Sequence, residues 1–490
     1  MSKRRTAGIV AGAGLGVAAA AALRRFWSRG DPGPDDTGDA PVGSAGAAFL
    51  EHLAEAVRIS TVSYEDRSLI DQAAFVEFGR FLERTYPLVH AHLEREAVAE
   101  HSLLYAWHGS DPAAQPFLLL AHQDVVPVEP GTEDAWPYAA FSGDVADGFL
   151  WGRGAIDDKG SLIGILEAVE SLLTGGFQPS CTVYLAFGHD EEIGGSAGAA
   201  AIAQTLADRG VALSFVLDEG GAVASEFFPG LDVPVALLGI AEKGYLNVRL
   251  SATGTGGHSS VPPPSTAIGK VAAAIARLEA NPLPPRLEAQ GPFFAALGAA
   301  MGGVKGRLLS NADRFRWLIT RRMLASPQTA ALVRTTAAVT MVSGGVKPNL
   351  LPQDASAVVN FRILPGETAD LVLEHVRSVA GPEVSVSVLD GGFTSEPSPM
   401  SSTESPAFGD ITATITEVFP GVATVPWVLM GATDSRYFAG VADNVYRFAP
   451  FTVTADDMSR IHGTGERIRA ADADGAVAFF RSLITRVATA

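Results

Sequence analysis

The sequence predicts an α/β protein with a mostly parallel mixed sheet flanked by helices, plus an inserted α+β domain of ferredoxin-like order. Two observations carry this. Strand-length apolar runs alternate with segments of helical periodicity: PFLLLAHQD, LIGILEAVESLL, CTVYLAFGHDEE, an alanine-rich helix and LSFVLDEGG follow one another. Such alternation builds a parallel sheet through crossover helices. From about Gly244 to Gly391 the pattern changes to alternating strands and two helices in the order β-α-β-β-α-β.

At 490 residues and 47% hydrophobic, the chain can bury at least one large core. Its net charge of -18, with RFRWLITRR as the one local basic cluster beyond the N-terminus, excludes a phosphate-tracking groove and with it nucleic acid as a partner. The single cysteine, Cys181, excludes an intrachain disulfide and a cysteine-rich metal site. Any metal must therefore rest on histidines and carboxylates.

In chain order, residues 1–29 have the layout of a signal peptide or signal anchor: KRR, a Gly/Ala/Val/Leu stretch from Ala7 to Leu23, then Arg24, Arg25 and Arg29. The expectation is an exported or membrane-anchored chain, tethered through residues 7–23, with its folded part outside the cytoplasm. Residues 30–45 have linker composition. Residues 46–243 form the first part of the larger domain. Within it, Leu162, Ile165, Leu166, Val169, Leu172 and Leu173 mark a helix that Gly175 stops. Residues 244–391 form the inserted domain: strand YLNVRLSAT, a helix around Ala267 to Leu278, strands near Ala337 to Val342 and Ala355 to Leu364, a helix, and VSVSVL. An extra segment, about 280–336, lengthens it. Residues 392–490 resume the larger domain with a helix near Phe408 to Phe419, strand TVPWVLM, a second helix, strand NVYRFA and a C-terminal helix after Asp472.

Polar residues gather at the carboxyl ends of the sheet runs, the rim where open α/β sheets bind ligands. They are His122 and Asp124, then Asp190, Glu191 and Glu192, then Asp218 and Glu219, with Asp157 just ahead of a helix. His122 and Asp124 share a strand face, so the carboxylate can brace the imidazole N–H. Taken alone, the pair reads more readily as a chance strand end. GRGAIDDKG sets Asp157 in a glycine-rich turn, where a carboxylate can bridge two cations; alone, it reads as structural, a turn with a helix cap. Glu191 and Glu192 are adjacent, so one can bind metal while the other holds a proton; an acidic turn is the plain alternative. His258 in GTGGHSS and His462 in IHGTGERI each read alone as loop histidines. Together, His122, Asp157, Glu192, Asp218 and His462 form a nitrogen and oxygen set able to hold two zinc ions.

These residues, in this order, resemble the di-zinc metallopeptidase and aminoacylase family of glutamate carboxypeptidase, carnosinase and succinyl-diaminopimelate desuccinylase. The strings AHQDVVPV, GRGAIDDKG, FGHDEEIGG, VLDEGG, GHSSVPP, GGVKPNLLP, GATDSRYF and IHGTGERI are most similar to its branch of carboxypeptidase S and N-fatty-acyl-amino-acid synthase/hydrolase. The resemblance implies two Zn2+, with Co2+ or Mn2+ as substitutes. His122 and Asp218 would hold one ion, Glu192 and His462 the other, and Asp157 would bridge them through a residue followed by a cis peptide bond. Relatives use either Asp or Glu in the VLDEGG position; strand alignment favours Asp218, with Glu219 pointing away. Asp124 would orient His122, Glu191 would be the general base, and His258 would stabilise the oxyanion. Asn349, Arg362 and the Gly431 backbone would contact substrate, Arg362 as carboxylate anchor with Arg436 as a second.

The expected reaction is zinc-dependent hydrolysis of an amide or peptide bond beside a free amino-acid carboxylate, with a small molecule or short peptide as substrate. The inserted domain would serve as lid and homodimer interface. The alternative is a catalytically inactive zinc-binding protein on the same fold, against which all five ligands and Glu191 stand. A dinucleotide-binding dehydrogenase is disfavoured, because no GxGxxG opens a helix after the first strand of the folded region.

Overall fold

The computed structural model describes residues 42–489, except 226–230, 232, 390–392 and the side chain of Gln328. The 1–29 segment, including the 7–23 stretch, and all but the end of the 30–45 linker lie outside the described residues. Among the described residues no helix is long and apolar enough to cross a membrane. The linker ends sooner than its composition suggests, because the first helix starts at Ser44 and runs to Arg58. By internal contacts the chain divides into two units, Met1–Ile240 with Pro292–Ser310 and Met400–Ala490, and Ala241–Gly291 with Asn311–Pro399. The extra segment is thus split: 292–310 belongs with the first unit.

In the first unit four parallel strands stand side by side, Val183–Gly188, Phe117–His122, Val216–Asp218 and Val445–Arg447. Antiparallel strands extend both edges: Glu94–Val98 and Ser102–Trp107 on one, Val235–Glu242 and Val223–Ala224 on the other. Burial of both faces explains why the strand Phe117–His122 is apolar up to its last residue. Phe117, Leu119 and Ala121 enter the large core, and Leu118 and Leu120 enter a second core with Ile202, Ala203 and Leu206 of the helix Ala199–Asp208. The large core is closed by the helices Ser44–Arg58, Lys159–Thr174, Pro406–Val418 and Ala473–Ala488, which pack on one another. Lys159–Thr174 ends as its apolar spacing predicts, although Gly176 rather than Gly175 takes the left-handed backbone, φ 71°. The second helix expected between TVPWVLM and NVYRFA is a 3₁₀ stretch, Asp434–Gly440.

The second unit is built on an antiparallel sheet in the order Thr336–Gly344, Asp354–Ile363, Gly244–Thr253, Ser385–Val388. The helices Ala267–Ala280 and Ala369–Ala380 cover one face, burying Val271, Ala274, Val372 and Val376 against Leu246, Val248, Val359 and Phe361. Both helices start on a threonine whose hydroxyl accepts a backbone N–H of the first turn, Thr266 from Gly269 and Thr368 from Leu371.

Candidate metal centre

The parallel strands of the first unit deliver their polar ends to one rim. His122 closes its strand opposite Gly188 of the neighbour, from which the chain turns through Asp190 into the 3₁₀ turn Glu191–Ile193. Asp124 ties the two together. Its carboxylate, fully buried, accepts the Glu191 and Glu192 backbone N–H groups at 3.1 Å each and the Ser63 hydroxyl at 2.6 Å. His122 Nδ1 lies 3.0 Å from the Asp124 carbonyl and 3.4 Å from its carboxylate. The brace is thus mainly the backbone carbonyl, because the strand stops at His122 and the alternation that would align the two side chains stops with it.

Asp157 lies at the centre, in the GRGAIDDKG turn, and the Asp157–Asp158 peptide is cis. Its Oδ1 is 2.9 Å from His122 Nε2 and its Oδ2 is 3.0 Å from His462 Nε2. Glu192 lies 3.0 Å from the same His462 nitrogen, and Glu219 3.9 Å from His122 Nε2. Two donor sets result, His122, Asp157 and Glu219, and Asp157, Glu192 and His462, each with its ligand atoms within 4.8 Å of one another. Asp157 belongs to both and offers each a different oxygen.

This corrects the expected ligand set at Asp218. That residue ends its strand with its carboxylate turned to the Ser435 backbone N–H, 2.9 Å away, at the start of the 3₁₀ stretch. Glu219, one residue past the strand, is released from its alternation, and its longer side chain reaches His122. Arg436 is a second correction. Its guanidinium donates to the Thr433 and Gly194 carbonyls at 2.8 Å each and lies over the Tyr437 ring, bracing the turn that follows Glu192 rather than presenting a carboxylate anchor.

The electrostatics fit cations at both sets. Burial opposes a charged His122, yet Asp124 and Asp157 outweigh it and hold its pKa well above the ordinary imidazole value. Burial likewise opposes His462, and Glu192 and Asp157 carry it up to about 11. Burial pushes the Glu219 carboxyl well up, with Asp157 and Asp158 adding to it, and pushes Glu191 up with Glu192 and Asp434 adding. A positive charge beside Asp157 relieves this crowding, and imidazole with carboxylate is a donor chemistry suited to divalent ions such as zinc.

One residue that the sequence reading did not single out fastens the whole arrangement. Glu466, fully buried, accepts the backbone N–H groups of Gly154, Ile156 and Asp157 at 2.9, 3.1 and 3.2 Å and pairs with Arg153 at 2.5 Å. Arg153 also donates to the Gly463 carbonyl at 2.8 Å, beside His462. The loop bearing one ligand is thereby tied to the turn bearing the shared one. His462 itself takes a left-handed backbone, φ 58°. The signal lay in GERI and GRG, both visible, but nothing local says that they meet.

A cavity opens from the two sets. Asp157, Glu191, Glu219, His462 and Gly431 line its polar end, and Leu237, Trp427, Leu429, Phe451, Met458 and Ile461 line the rest. In the second unit, His258 is exposed on the short strand Gly257–His258, paired with Leu350–Leu351, and the Asn349 carbonyl accepts the Ser259 N–H at 3.3 Å. Arg362 is largely buried with its guanidinium over the Tyr245 ring at 4.6 Å.

Fold and donor sets together define a metal-dependent hydrolase. The chain belongs to peptidase family M20/M25/M40, whose model matches residues 118–486, and it is a hydrolase of amide bonds. It is 38% identical over 441 residues to the probable carboxypeptidase S-like 2 of Dictyostelium discoideum, covering 89% of this chain and 84% of that one. It is 39% identical over 451 residues to the N-fatty-acyl-amino acid synthase/hydrolase of Homo sapiens, covering 90% and 88%. Among solved structures, an M20 family metallo-carboxypeptidase from Sulfolobus solfataricus superposes with a TM-score of 0.65 at 19% identity, over 90% of this chain and 99% of that one. Human carnosine dipeptidase superposes with a TM-score of 0.62 at 15% identity, over 91% and 97%. At these identities the structural likeness speaks for the fold.

Proposed function

We propose that this chain hydrolyses N-acyl amino acids whose acyl group is long and apolar, using two zinc ions held by His122, Asp157 and Glu219 and by Asp157, Glu192 and His462. The observation that carries this is that Asp157, Glu219 and His462, drawn from the two donor sets, line one cavity together with Glu191 while most of its other walls are apolar. The bound ions supply Lewis-acid polarisation of the scissile carbonyl and an acidified water. The protein does the rest. Glu191, its carboxyl raised by burial toward the working range of a general base, takes a proton from the attacking water and returns it to the leaving amine. Asp124 holds the Glu191 backbone, and so the direction of its carboxylate, while the apolar wall takes up the acyl chain. The named activities of the relatives, a fatty-acyl-amino acid synthase/hydrolase and carboxypeptidases, agree with either an acyl or a peptidyl group beside a free carboxylate. The apolar lining favours the first.

Arg362 is the proposed anchor for that carboxylate and His258 the proposed oxyanion donor, with Asn349 beside it. Pairing of two copies through the second unit belongs to the same proposal, as does a location outside the cytoplasm, which rests on the layout of residues 1–29. The test is release of free amino acid from a panel of acetyl, octanoyl and oleoyl amino acids and of dipeptides, with Glu191→Gln as control. Turnover that rises with acyl length, and is lost with chelator and in the control, is the expected result. Turnover of dipeptides alone would refute the acyl assignment, and no turnover with both ions bound would refute the catalytic one.

A further inference from the structure

The basic stretch RFRWLITRR is not used by the chemistry above, and the structure gives it a distinct surface in the second unit. It covers the helix Arg316–Met323, whose Ile319 and Met323 are buried. The side turned to solvent carries large apolar groups: Trp317 is 72% exposed, Leu318 46%, Phe315 38% and Leu324 37%. Arg314, Arg316, Arg321 and Arg322 are exposed beside them. Between Asn311 and Leu324 these four arginines stand against one acid, Asp313, in a chain whose net charge is -18. Arg321 lies over the Trp317 ring at 5.7 Å, and Arg316 pairs with Glu288 at 2.6 Å, which steadies the helix start.

We propose that this face docks on the headgroup layer of an anionic lipid bilayer. Indole and phenyl rings lodge at the headgroup boundary, and guanidinium groups at the same level meet lipid phosphates while their stems cover apolar surface. Large apolar groups and guanidinium groups shown together to water on one short helix can both be satisfied at the headgroup level. Beyond the N-terminal stretch, local positive charge on an otherwise acidic chain directs the attraction to this face and to negatively charged lipid. The proposal is independent of the reaction and of the N-terminal stretch.

The test uses the full chain and vesicles of phosphatidylcholine, alone or mixed with phosphatidylglycerol, bearing brominated acyl chains that quench tryptophan on contact. The quantity read is the difference between the unaltered protein and Trp317→Phe, which isolates this position from any contribution of residues 7–23. Quenching specific to Trp317 should appear with the anionic vesicles and fall as salt is raised. It should drop severalfold in Arg321→Glu/Arg322→Glu and, should that variant fail to fold, in Leu318→Ser. Absence of Trp317-specific quenching on anionic vesicles, or equal quenching on neutral ones, overturns the proposal. Self-association that depends on concentration and vanishes in Trp317→Phe, without quenching, assigns the face to a second copy instead.

Discussion

Replacing Glu466 with glutamine tests whether the two ion sites are held in place by a group that touches neither ion. Glutamine keeps one oxygen for the Gly154, Ile156 and Asp157 N–H groups but turns an amide toward Arg153, which is 2% exposed and loses its counter-charge. Breaking one side of a buried ion pair costs about 3–5 kcal/mol of stability. Part of that strain falls on the centre, since Asp157 supplies one of the three N–H groups and Arg153 also holds Gly463, next to His462. Loss of such a supporting contact lowers metal affinity roughly 10- to 100-fold. Titrating the metal-free variant against a chromophoric chelator, alongside thermal unfolding and steady-state kinetics, separates the two effects. Weaker binding at both sites, a lower kcat that added metal restores, and an unchanged KM are expected. Glu466→Gln protein with unaltered affinity and unaltered thermal stability would refute the reasoning.

Three further outcomes follow from the geometry. Glu219→Gln should lower affinity for one of the two ions by roughly 100-fold or more while Asp218→Asn keeps both, measured as bound metal per chain; the reverse order would restore Asp218 as ligand. Ala449→Phe, which fills the apolar cavity, should reduce kcat/KM for long-acyl substrates by about tenfold or more, as loss of two buried methylenes would, and leave acetyl substrates nearly unchanged. Lys243, buried with its ammonium on the Ala331 and Arg334 carbonyls, has its pKa lowered by burial, with Arg362 adding, to about 7 from an ordinary 10.5. The unfolded chain therefore holds this proton where the folded one releases it. Stability should rise with pH between about 7 and 10.5, by roughly 1 kcal/mol per unit, and Lys243→Met should flatten that slope in denaturant titrations.

What the sequence made legible was what short stretches of chain determine. The helix Lys159–Thr174 and the parallel strands were written in their own periodicity, and GRGAIDDKG advertised a turn that could aim a carboxylate. Two kinds of feature were not local. The antiparallel edge strands Glu94–Val98 and Ser102–Trp107 depend on a sheet already present to pair with. The choice between Asp218 and Glu219 depends on where a strand stops, which Ser435, more than two hundred residues on, helps to fix. Arg436 shows the same limit from the other side. Its residue type suits a carboxylate, but only the fold reveals that the Gly194 and Thr433 carbonyls already hold it.

The division of the segment around residue 300 bears on any attempt to recombine this protein with a relative. Exchanging the stretch between Ala241 and Pro399 as one block would look like replacing the second unit alone. It would in fact carry across Pro292–Ser310, which belongs to the first unit and whose Phe293 packs edge-on against Trp427, a wall of the catalytic cavity. Such a chimaera exchanges the support behind a cavity wall without touching any residue that lines the cavity, and a clean graft needs four junctions rather than two.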